Sequence, residues 1–486
     1  MEVCIIGGGF SGIISSKVCL ENNLTPFILN KSSAPGGLWK GASGEIGVWR
    51  SITANNSKYI TCFSDQLWDE SIPDYPTGQQ FLEYLSSYIQ KHNLFQYIHN
   101  NCEVNLIEKH QSGYHVTWHQ NSVIFNKIFK YVIIASGRNA YENIPFKNPE
   151  IFQGSIIKGG SYREPSVFEN KNVLVIGRSF TASDIAFDAL STAKSVAQIY
   201  RKPYLVVRKY LDNIPSDFFI YSVFESEQTR HYLNDSVQRV NKCKRILKLM
   251  GNPGDVLEEW RINEESLDAD HFNVSVSGDE YYSAVSEGKI QCIRGSVKDL
   301  YENGVVLETG ERIEADTIVV AMGYESNYSY LSQEIKEIIK YNQKDKLVPV
   351  VLYRAVCHPD LPGLCFVGNF SNHAPGFEVE AELGVKFLIG QLNADPEEMR
   401  KGIDEEEFIR KNGKNLPRAY DAVGYVKECL KNVGVSIDYD FIRNELLFAN
   451  GPLLPCFYYM NRPGQEEICR KAVREIKEKY PGYSFS

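Results

Sequence analysis

The chain has 486 residues, more than one ordinary hydrophobic core accommodates, so its length predicts about two to four domains. Its 43% hydrophobic and 23% charged residues are typical of a globular protein. The 52 basic and 61 acidic residues give a formal charge of -9 without a basic block, which argues against a nucleic-acid partner and favours a small-molecule role.

Membrane, disulfide and metal signals are missing from the sequence. No run approaches the ~20 apolar residues that a membrane span requires, and Met1 leads into a predicted strand without the basic region of a signal peptide. We therefore expect a cytoplasmic protein without a membrane anchor. The 11 cysteines are scattered singly, and the histidines show no HExxH or similar spacing, so we expect neither a disulfide framework nor a metal site.

The N-terminal segment has the pattern of a dinucleotide-binding turn. A predicted strand at residues 2–6 is followed by GxGxxG, with its glycines at Gly7, Gly9 and Gly12, and then by a predicted helix. Gly7 permits the tight turn, Gly9 lets the backbone approach a pyrophosphate, and Gly12 lets helix and strand pack closely. The amides at the helix N-terminus favour phosphate groups.

The second predicted strand, at residues 25–29, should end at the residue that binds the adenosine ribose. That residue is Asn30, where an Asp or Glu is usual, and an amide binds a hydroxyl less strongly than a carboxylate does. A plain loop role for Asn30 is the alternative. The cofactor-binding residues predicted in this module are Gly7, Gly9, Phe10, Ser11, Gly12, Asn30 and Lys31.

A second strand, glycine turn and helix begin at residue 172. Here only the first glycine is kept, because Ser179 stands where backbone approach to a pyrophosphate favours glycine. After the next predicted strand come two cations that suit a 2′-phosphate and favour NADPH over NADH, although an exposed loop pair is the alternative. The residues predicted to bind this cofactor are Gly177, Ser179, Phe180, Thr181, Arg201 and Lys202.

Further motifs occur in a fixed order. Residues 36–39 are GGLW, residues 51–58 are SITANNSK, residues 62–65 are CFSD and residues 81–85 are FLEYL. In order and spacing these segments resemble the flavin-containing monooxygenases, which are class B flavoprotein monooxygenases. The resemblance extends over nearly the whole chain.

The resemblance implies an α/β fold with two Rossmann-like dinucleotide-binding domains, the nicotinamide domain inserted in the FAD domain. It implies FAD and NADPH as cofactors. In the family the GGLW segment lies along the FAD, and the asparagine that matches Asn55 hydrogen-bonds at the face of the flavin that reacts with oxygen, so Asn55 is the predicted catalytic residue. Further cofactor-binding residues implied by the resemblance are Gly37, Leu38, Trp39, Val104, Ser136, Gly323 and Asn369.

The order of elements predicts the domain boundaries. Residues 1–150 and 315–486 would form the FAD domain, the second part ending in a helical region, with residues 151–314 as the NADPH-binding domain. A helical insert is predicted near 204–275. Residues 152–162 fit the family fingerprint FxGxxxHxxxY except at Lys158, which replaces the histidine. In the family this motif helps to couple cofactor binding to turnover, so the resemblance implies that the substitution affects coupling; a surface lysine without a role is the alternative.

The implied reaction uses NADPH and O2, with a flavin hydroperoxide transferring one oxygen atom to a soft nucleophile such as an amine or a sulfide. Two alternatives stay open: Baeyer–Villiger oxygenation of a ketone, and an uncoupled NADPH oxidase or flavoprotein whose nicotinamide site has degenerated at Lys158 and Ser179. A homo-oligomer is compatible with the sequence. The alternating Glu378, Glu380 and Glu382 are predicted to form one solvated face.

Overall fold

The computed structural model describes residues 1–41, 46–142, 144–202, 205–228, 236–264, 274–346, 348–370, 374–412 and 422–485. Residues 204, 229–235 and 265–273 of the predicted insert lie outside the described residues.

Strands form in both halves of the described chain, and their bounds are β1 Glu2–Ile6, β2 Thr25–Leu29, β3 Ile98–His99, β4 Cys102–His110, β5 Gly113–Gln120, β6 Val123–Phe129, β7 Tyr131–Ile134, β8 Ser155–Lys158, β9 Asn172–Ile176, β10 Ser195–Tyr200, β11 Leu205–Arg208, β12 Tyr210–Leu211, β13 Ile214–Pro215, β14 Val274–Ser277, β15 Ile290–Arg294, β16 Val297–Tyr301, β17 Gly304–Leu307, β18 Arg312–Glu314, β19 Thr317–Val320 and β20 Leu364–Phe366. The α-helices are α1 Phe10–Glu21, α2 Gly78–Lys91, α3 Phe180–Ala189, α4 Asp217–Ile220, α5 Val223–Gln228, α6 Ser236–Met250, α7 Asp279–Ser286, α8 Gln333–Ile338, α9 Ala374–Leu388, α10 Pro396–Asn412, α11 Ala422–Asn432, α12 Tyr439–Asn444 and α13 Gln465–Lys479.

The first module is a five-stranded parallel sheet in the order β20-β7-β1-β2-β3. When the five strands are numbered 1 to 5 in chain order and read from the β3 edge, this is the 3-2-1-4-5 order of a dinucleotide-binding fold. Successive side chains of β1 enter two different clusters, Val3 and Ile5 one with α1 and α9, Cys4 and Ile6 another with β5 and α8. Because the sheet is covered on both faces, β1 is an apolar run and not an alternating one.

The second module repeats this arrangement. Its parallel sheet has the order β15-β10-β9-β19-β8, and β9 lies between β10 and β19 as β1 lies between β2 and β7. On one side Val173 and Val175 pack with α3 and α7, and on the other Leu174 and Ile176 pack with β16 and β17. The mixed α/β fold with two Rossmann-like modules is therefore confirmed.

The chain crosses between the modules twice, and the two crossings pair with each other. Tyr141 and Glu325 form an antiparallel bridge, with Glu325 N donating to the Tyr141 carbonyl at 2.8 Å and Tyr141 N to that of Glu325 at 3.0 Å. Because β19 hydrogen-bonds within the second sheet, the return crossing follows Val320. The predicted domain boundaries themselves stay a prediction. Among the described residues, no helix combines the length and the apolar character of a membrane span.

Candidate functional site

The turn between β1 and α1 requires glycine at two positions. Gly7 has a φ of +115°, and a Cβ atom there would lie 2.4 Å from the Ala135 carbonyl oxygen. A Cβ atom on Gly12 would lie 1.9 Å from the Gly7 carbonyl oxygen. The helix begins after Gly9 without a side-chain cap and without an acidic residue in its first turn. Its first amides, at Phe10 and Ser11, therefore suit a phosphate group.

A second glycine segment lies over this turn. Gly36 N donates to the Gly8 carbonyl at 2.9 Å, and a Cβ atom on Gly37 would lie 3.1 Å from Gly9 Cα. Trp39 then stacks on Phe81 with 4.0 Å between the ring centroids, whereas Leu38 is 41% exposed. The GGLW motif thus lies against the predicted pyrophosphate turn.

The predicted ribose-binding residue is buried beside the same turn. Asn30 donates from Nδ2 to the Ser32 carbonyl at 2.9 Å and to Asn100 Oδ1 at 2.7 Å. With both amide hydrogens engaged, Oδ1 is the atom that would accept a ribose hydroxyl. Lys31 is exposed and pairs with Glu103 at 2.9 Å.

Two of the downstream residues also meet the first turn. A Cβ atom on Gly7 would lie 3.1 Å from Ser136 Cα, and one on Gly368 would lie 2.2 Å from Ser11 Oγ, so Asn369 follows a residue in contact with α1. Asn369 is buried and accepts a hydrogen bond from the Tyr328 hydroxyl at 3.3 Å.

The remaining two predicted residues lie farther from that turn. Val104 is half-buried in β4, and β4 begins at Cys102, whose amide donates to the Asn30 carbonyl. Gly323 lies in the return crossing with a φ of +87°. A Cβ atom on Gly323 would have Lys346 Nζ as its nearest neighbour, at 3.8 Å. Their cofactor contacts stay predictions.

The predicted catalytic residue carries an orphaned polar atom. Asn55 Oδ1 is buried and has no hydrogen-bond partner among the described residues. Its turn is fixed by the Ala54 amide, which donates to the Pro76 carbonyl at 2.8 Å. An unpaired buried oxygen costs about 1–3 kcal/mol, so a bound donor would satisfy it. This observation fits a ligand at Asn55.

The prediction of a solvated face on α9 is wrong. Glu378, Glu380 and Glu382 are at most 6% exposed. Glu378 accepts hydrogen bonds from Ser64 N at 3.0 Å and Ser64 Oγ at 2.6 Å, and its burial raises its pKa. The alternation of charged and apolar residues did not indicate this burial, because the hydrogen-bond donors to the carboxylates lie outside α9.

One of these carboxylates supports the first turn. Glu380 accepts the amide hydrogen of Gly368 at 2.6 Å and is fully buried. Since Gly368 lies against Ser11, Glu380 fixes a loop at the predicted flavin site. The apolar residues that flank each glutamate on both sides in α9 were the available signal that this helix is buried.

The turn between β9 and α3 has nearly the same backbone as the first turn. Gly177 has a φ of +129°, and its Cβ atom would lie 2.3 Å from the Ala321 carbonyl oxygen. Ser179 precedes α3 with φ -84° and ψ -177°, while Gly9 has φ -84° and ψ -172°. Ser179 is therefore unstrained, and only the space in front of the helix differs.

Cations and aromatic rings surround this second turn. Arg178 is 1% exposed and lies 3.4 Å from the Trp260 ring centroid, a cation–π arrangement. Arg201 and Lys202 follow β10 and are exposed. Of the two predicted residues in the first turn of α3, Phe180 is partly buried against α6 and Thr181 faces the fingerprint turn at Gly159–Ser161.

The fingerprint turn is held although its histidine is replaced. Lys158 ends β8 half-buried, and the next turn donates Gly160 N to the Glu142 carboxylate at 2.8 Å. Gly160 also accepts from Gly47 N at 3.0 Å, across to the first module. Burial raises the pKa of Glu142. The turn at Lys158 therefore connects both modules through backbone groups.

The geometry defines a protein with two glycine turns of the dinucleotide-binding type and a buried, unpartnered oxygen on Asn55, and the sequence agrees with known proteins of that class. The family model described as "Flavin-binding monooxygenase-like" matches residues 1–480. Flavin-containing monooxygenase 3 of Oryctolagus cuniculus is 25% identical, over 97% of this chain and 91% of its own. Dimethylaniline monooxygenase [N-oxide-forming] 2 of Mus musculus is 28% identical, over 98% and 92%.

Solved structures show the same fold. Cyclohexanone monooxygenase from Rhodococcus sp. Phi1, in its crystal structure bound to NADP+, superposes with a TM-score of 0.65 at 17% identity, over 89% of this chain and 97% of its own. The chain belongs to the flavin-binding monooxygenase-like family. It is an oxidoreductase, and FAD and NADPH are the standard cofactors of its family. The glycine turns at Gly7 and Gly177 and the orphaned Asn55 oxygen fit these groups.

Proposed function

We propose that this monooxygenase transfers one oxygen atom from O2 to a nitrogen or sulfur atom of a small molecule, using NADPH as the reductant. The observation that carries the proposal is the buried, unpartnered Oδ1 of Asn55, in a turn that both the first module and Lys209 of the inserted region contact. A soft nucleophile needs no acid, base or nucleophile from the protein, and no such group is predicted at the site.

The residues of the first turn would hold FAD. The amides that open α1 would bind the pyrophosphate, Gly9 would allow its close approach, and Asn30 would accept a ribose hydroxyl through Oδ1. When bound and reduced, the flavin supplies the chemistry that activates O2. Asn55 would then offer a fixed acceptor in a site from which water is excluded.

The residues of the second turn would hold NADPH. We propose that the first amides of α3, at Phe180 and Thr181, bind the pyrophosphate, and that Arg201 and Lys202 bind the 2′-phosphate as exposed cations. Residues 151–314 would form this domain, inserted between the two parts of the FAD domain. Because the fingerprint turn keeps its backbone contacts, we propose that Lys158 permits coupled turnover.

Nitrogen is the first substrate atom to test, since the mouse relative at 28% identity is N-oxide-forming. The deciding experiment reduces the FAD-loaded protein with NADPH without oxygen and then mixes it with O2 and an amine, a sulfide or a ketone. We expect bleaching of the flavin absorbance by NADPH and product from the amine or sulfide.

The outcomes separate the candidates. Product from the ketone alone would indicate Baeyer–Villiger chemistry. Reduction by NADPH that ends only in hydrogen peroxide with every substrate would indicate an uncoupled oxidase, and retained FAD without any bleaching would refute the proposed function.

A further inference from the structure

The turn that carries Asn55 is held at both ends by charged side chains from the region after β10. Lys209 Nζ donates to Thr53 Oγ1 at 2.6 Å. Asp217 accepts hydrogen bonds from Ser57 N at 2.6 Å and from Ser57 Oγ at 3.0 Å. Thr53 and Ser57 lie two residues before and two residues after Asn55, so the two charges bracket it.

These contacts join segments that are far apart in the chain. Lys209 lies between β11 and β12, and Asp217 is the first residue of α4. The residue separations are 156 for the Lys209 contact and 160 for the Asp217 contact. The Tyr75 hydroxyl also donates to the Lys209 carbonyl, and the Lys209 ammonium lies 5.2 Å from the Tyr75 ring centroid. Lys209 is thus fixed on its backbone and on its side chain.

Burial makes these polar contacts costly to form. Asp217 is 3% exposed and Ser57 is fully buried, and burial lowers the pKa of Lys209. A buried charge adds little net stability, but once formed it holds its hydrogen-bond partners in one arrangement. A carboxylate that takes both the amide and the hydroxyl of one serine fixes that residue on backbone and side chain together.

The first module holds the same turn through backbone contacts, which include an antiparallel bridge between Thr53 and Thr77. The Ala54 amide donates to Pro76, and the Lys58 amide donates to the Asp74 carbonyl at 2.6 Å. Among the described residues, the carbonyl oxygen of the Asn55 side chain has no protein partner to fix it. Its position therefore depends on what holds Thr53 and Ser57.

We propose that Lys209 and Asp217 are positioning residues that fix the turn at residues 53–57 from the inserted region, so that Asn55 keeps its place at the flavin during turnover. The assignment of a role in turnover rests on the proposed function. The claim that Lys209 and Asp217 hold the turn does not rest on it, so the holding contacts and the role in turnover can be tested separately.

The first test measures hydrogen–deuterium exchange in the FAD-loaded protein, in peptides that cover residues 50–60. Asp217→Asn and Lys209→Met are expected to speed exchange in this segment about 10-fold, because Asp217→Asn removes the charge that strengthens two hydrogen bonds to Ser57 and Lys209→Met removes the bond to Thr53. Asp212→Asn and Arg208→Met are matched controls: they change an exposed acid in the β12–β13 turn and the cation adjacent to Lys209, whose ion-pair partner is Asp279. The controls should leave exchange unchanged.

Two results would overturn the bracket. One is unchanged exchange at residues 50–60 in both folded variants, and the other is faster exchange that appears equally in the controls or in peptides from β1 and α1. If Asp217→Asn does not fold, Ser57→Ala removes only the hydroxyl contact and should still raise exchange by roughly threefold. Lys209→Arg keeps a donor and should restore slow exchange.

The second test measures the fraction of oxidised NADPH that appears as hydrogen peroxide. We expect this fraction to rise several-fold in Asp217→Asn and Lys209→Met, while the rate of anaerobic flavin reduction by NADPH stays at the wild-type value. A loss of reduction rate equal to the loss of product would overturn the positioning role. If wild-type protein forms no product with any substrate, the proposed function fails while the exchange result still decides the bracket.

A pH series distinguishes the carboxylate from a simple packing contact. Burial and the neighbouring Asp74 raise the pKa of Asp217 to about 6 against the effect of the Ser57 donors, and the phenols of Tyr75, Tyr210 and Tyr221 also lie close to it. Because the Ser57 donors lower the pKa of Asp217, an opening that breaks these bonds while Asp217 stays buried would raise that pKa further, and protons would favour the open turn. Exchange at residues 50–60, corrected for its intrinsic pH dependence, should therefore speed up as the pH falls towards about 6. Asp217→Asn should remove this step, and an identical step in that variant would overturn the assignment.

Discussion

Gly9 and Ser179 stand at the same point of two similar turns, in front of α1 and of α3. Both residues have a φ of -84°, and both are extended, with a ψ of -172° at Gly9 and of -177° at Ser179. Each turn opens on a glycine with positive φ that lies against the carbonyl of a neighbouring strand. The modules differ in the side chains that fill the space around these similar backbones.

The side chains of the two turns differ both within the first turn of the helix and in front of it. In the first module Gly12 leaves no room for a Cβ atom, whereas Ala182 occupies the matching place in the second module and is fully buried. In front of the helix the first module has two glycines, Gly9 and Gly37, in contact, while the second has the Ser179 side chain. The helix and strand of the first turn are thus packed more closely, whereas in the second turn the Ser179 side chain narrows the space in front of the helix.

The largest expected effect comes from exchanging the two small residues. Gly12→Ala places a Cβ atom 1.9 Å from the Gly7 carbonyl oxygen, so we expect a loss of more than about 3 kcal/mol in the free energy of unfolding and loss of FAD. Ala182→Gly should cost only about 1 kcal/mol, the helix propensity difference. Chemical denaturation and the bound flavin absorbance measure both. Equal losses in the two variants would contradict the packing difference between the turns.

The next effect concerns the cation after β10. Arg201→Ala should raise the Michaelis constant for NADPH by a factor that corresponds to about 1.5–3 kcal/mol, and leave that for NADH nearly unchanged, because only NADPH carries the 2′-phosphate. Lys298→Ala, at an exposed lysine of β16, is a matched control that should change neither constant. Equal effects of Arg201→Ala on both cofactors would exclude a 2′-phosphate contact.

Much of the fold could be predicted because it follows from local patterns. The apolar runs of β1 and β9, each ending in a glycine turn, predict two parallel sheets, and the structure contains both, with β9 between β10 and β19 as β1 lies between β2 and β7. The site was harder, since its supports come from distant segments. Glu380 and Asp217 reach Gly368 and Ser57 only through tertiary packing, and no local spacing announces a buried carboxylate that will find its donors elsewhere.

Asn55 was predicted from the sequence, but its hydrogen-bonding state was not. Its importance was predicted from a motif resemblance, and its orphaned oxygen became visible only in three dimensions. The sequence also could not show that Asn30 donates both amide hydrogens to other groups of the protein. Hydrogen-bond satisfaction is a property of the packed structure, so it escapes any pattern of residue types.

A smaller effect separates the turn at Asn55 from the two glycine turns. Asn55→Ala should leave FAD bound and reducible by NADPH but lower the product formed per NADPH about 10-fold, as expected for one lost hydrogen bond of about 1.4 kcal/mol. The missing product should appear as hydrogen peroxide, which a peroxidase-coupled assay measures. Asn56→Ala, at the adjacent amide, serves as the control. An unchanged product yield in Asn55→Ala would remove that residue from the reaction.

The smallest effect tests what the serine side chain does in the second turn. Ser179→Gly restores the glycine of the first turn at a cost to the helix of only a few tenths of a kcal/mol, roughly the difference between two acceptable N-caps. If the side chain restricts approach of the pyrophosphate, the dissociation constant for NADPH should fall about threefold, which flavin-quenching titration or calorimetry can measure. A rise in that constant would instead show that the Ser179 hydroxyl donates to the phosphate, as a serine in front of a helix can. In that case the second turn is not a weakened copy of the first, because the hydroxyl supplies a contact that glycine cannot make.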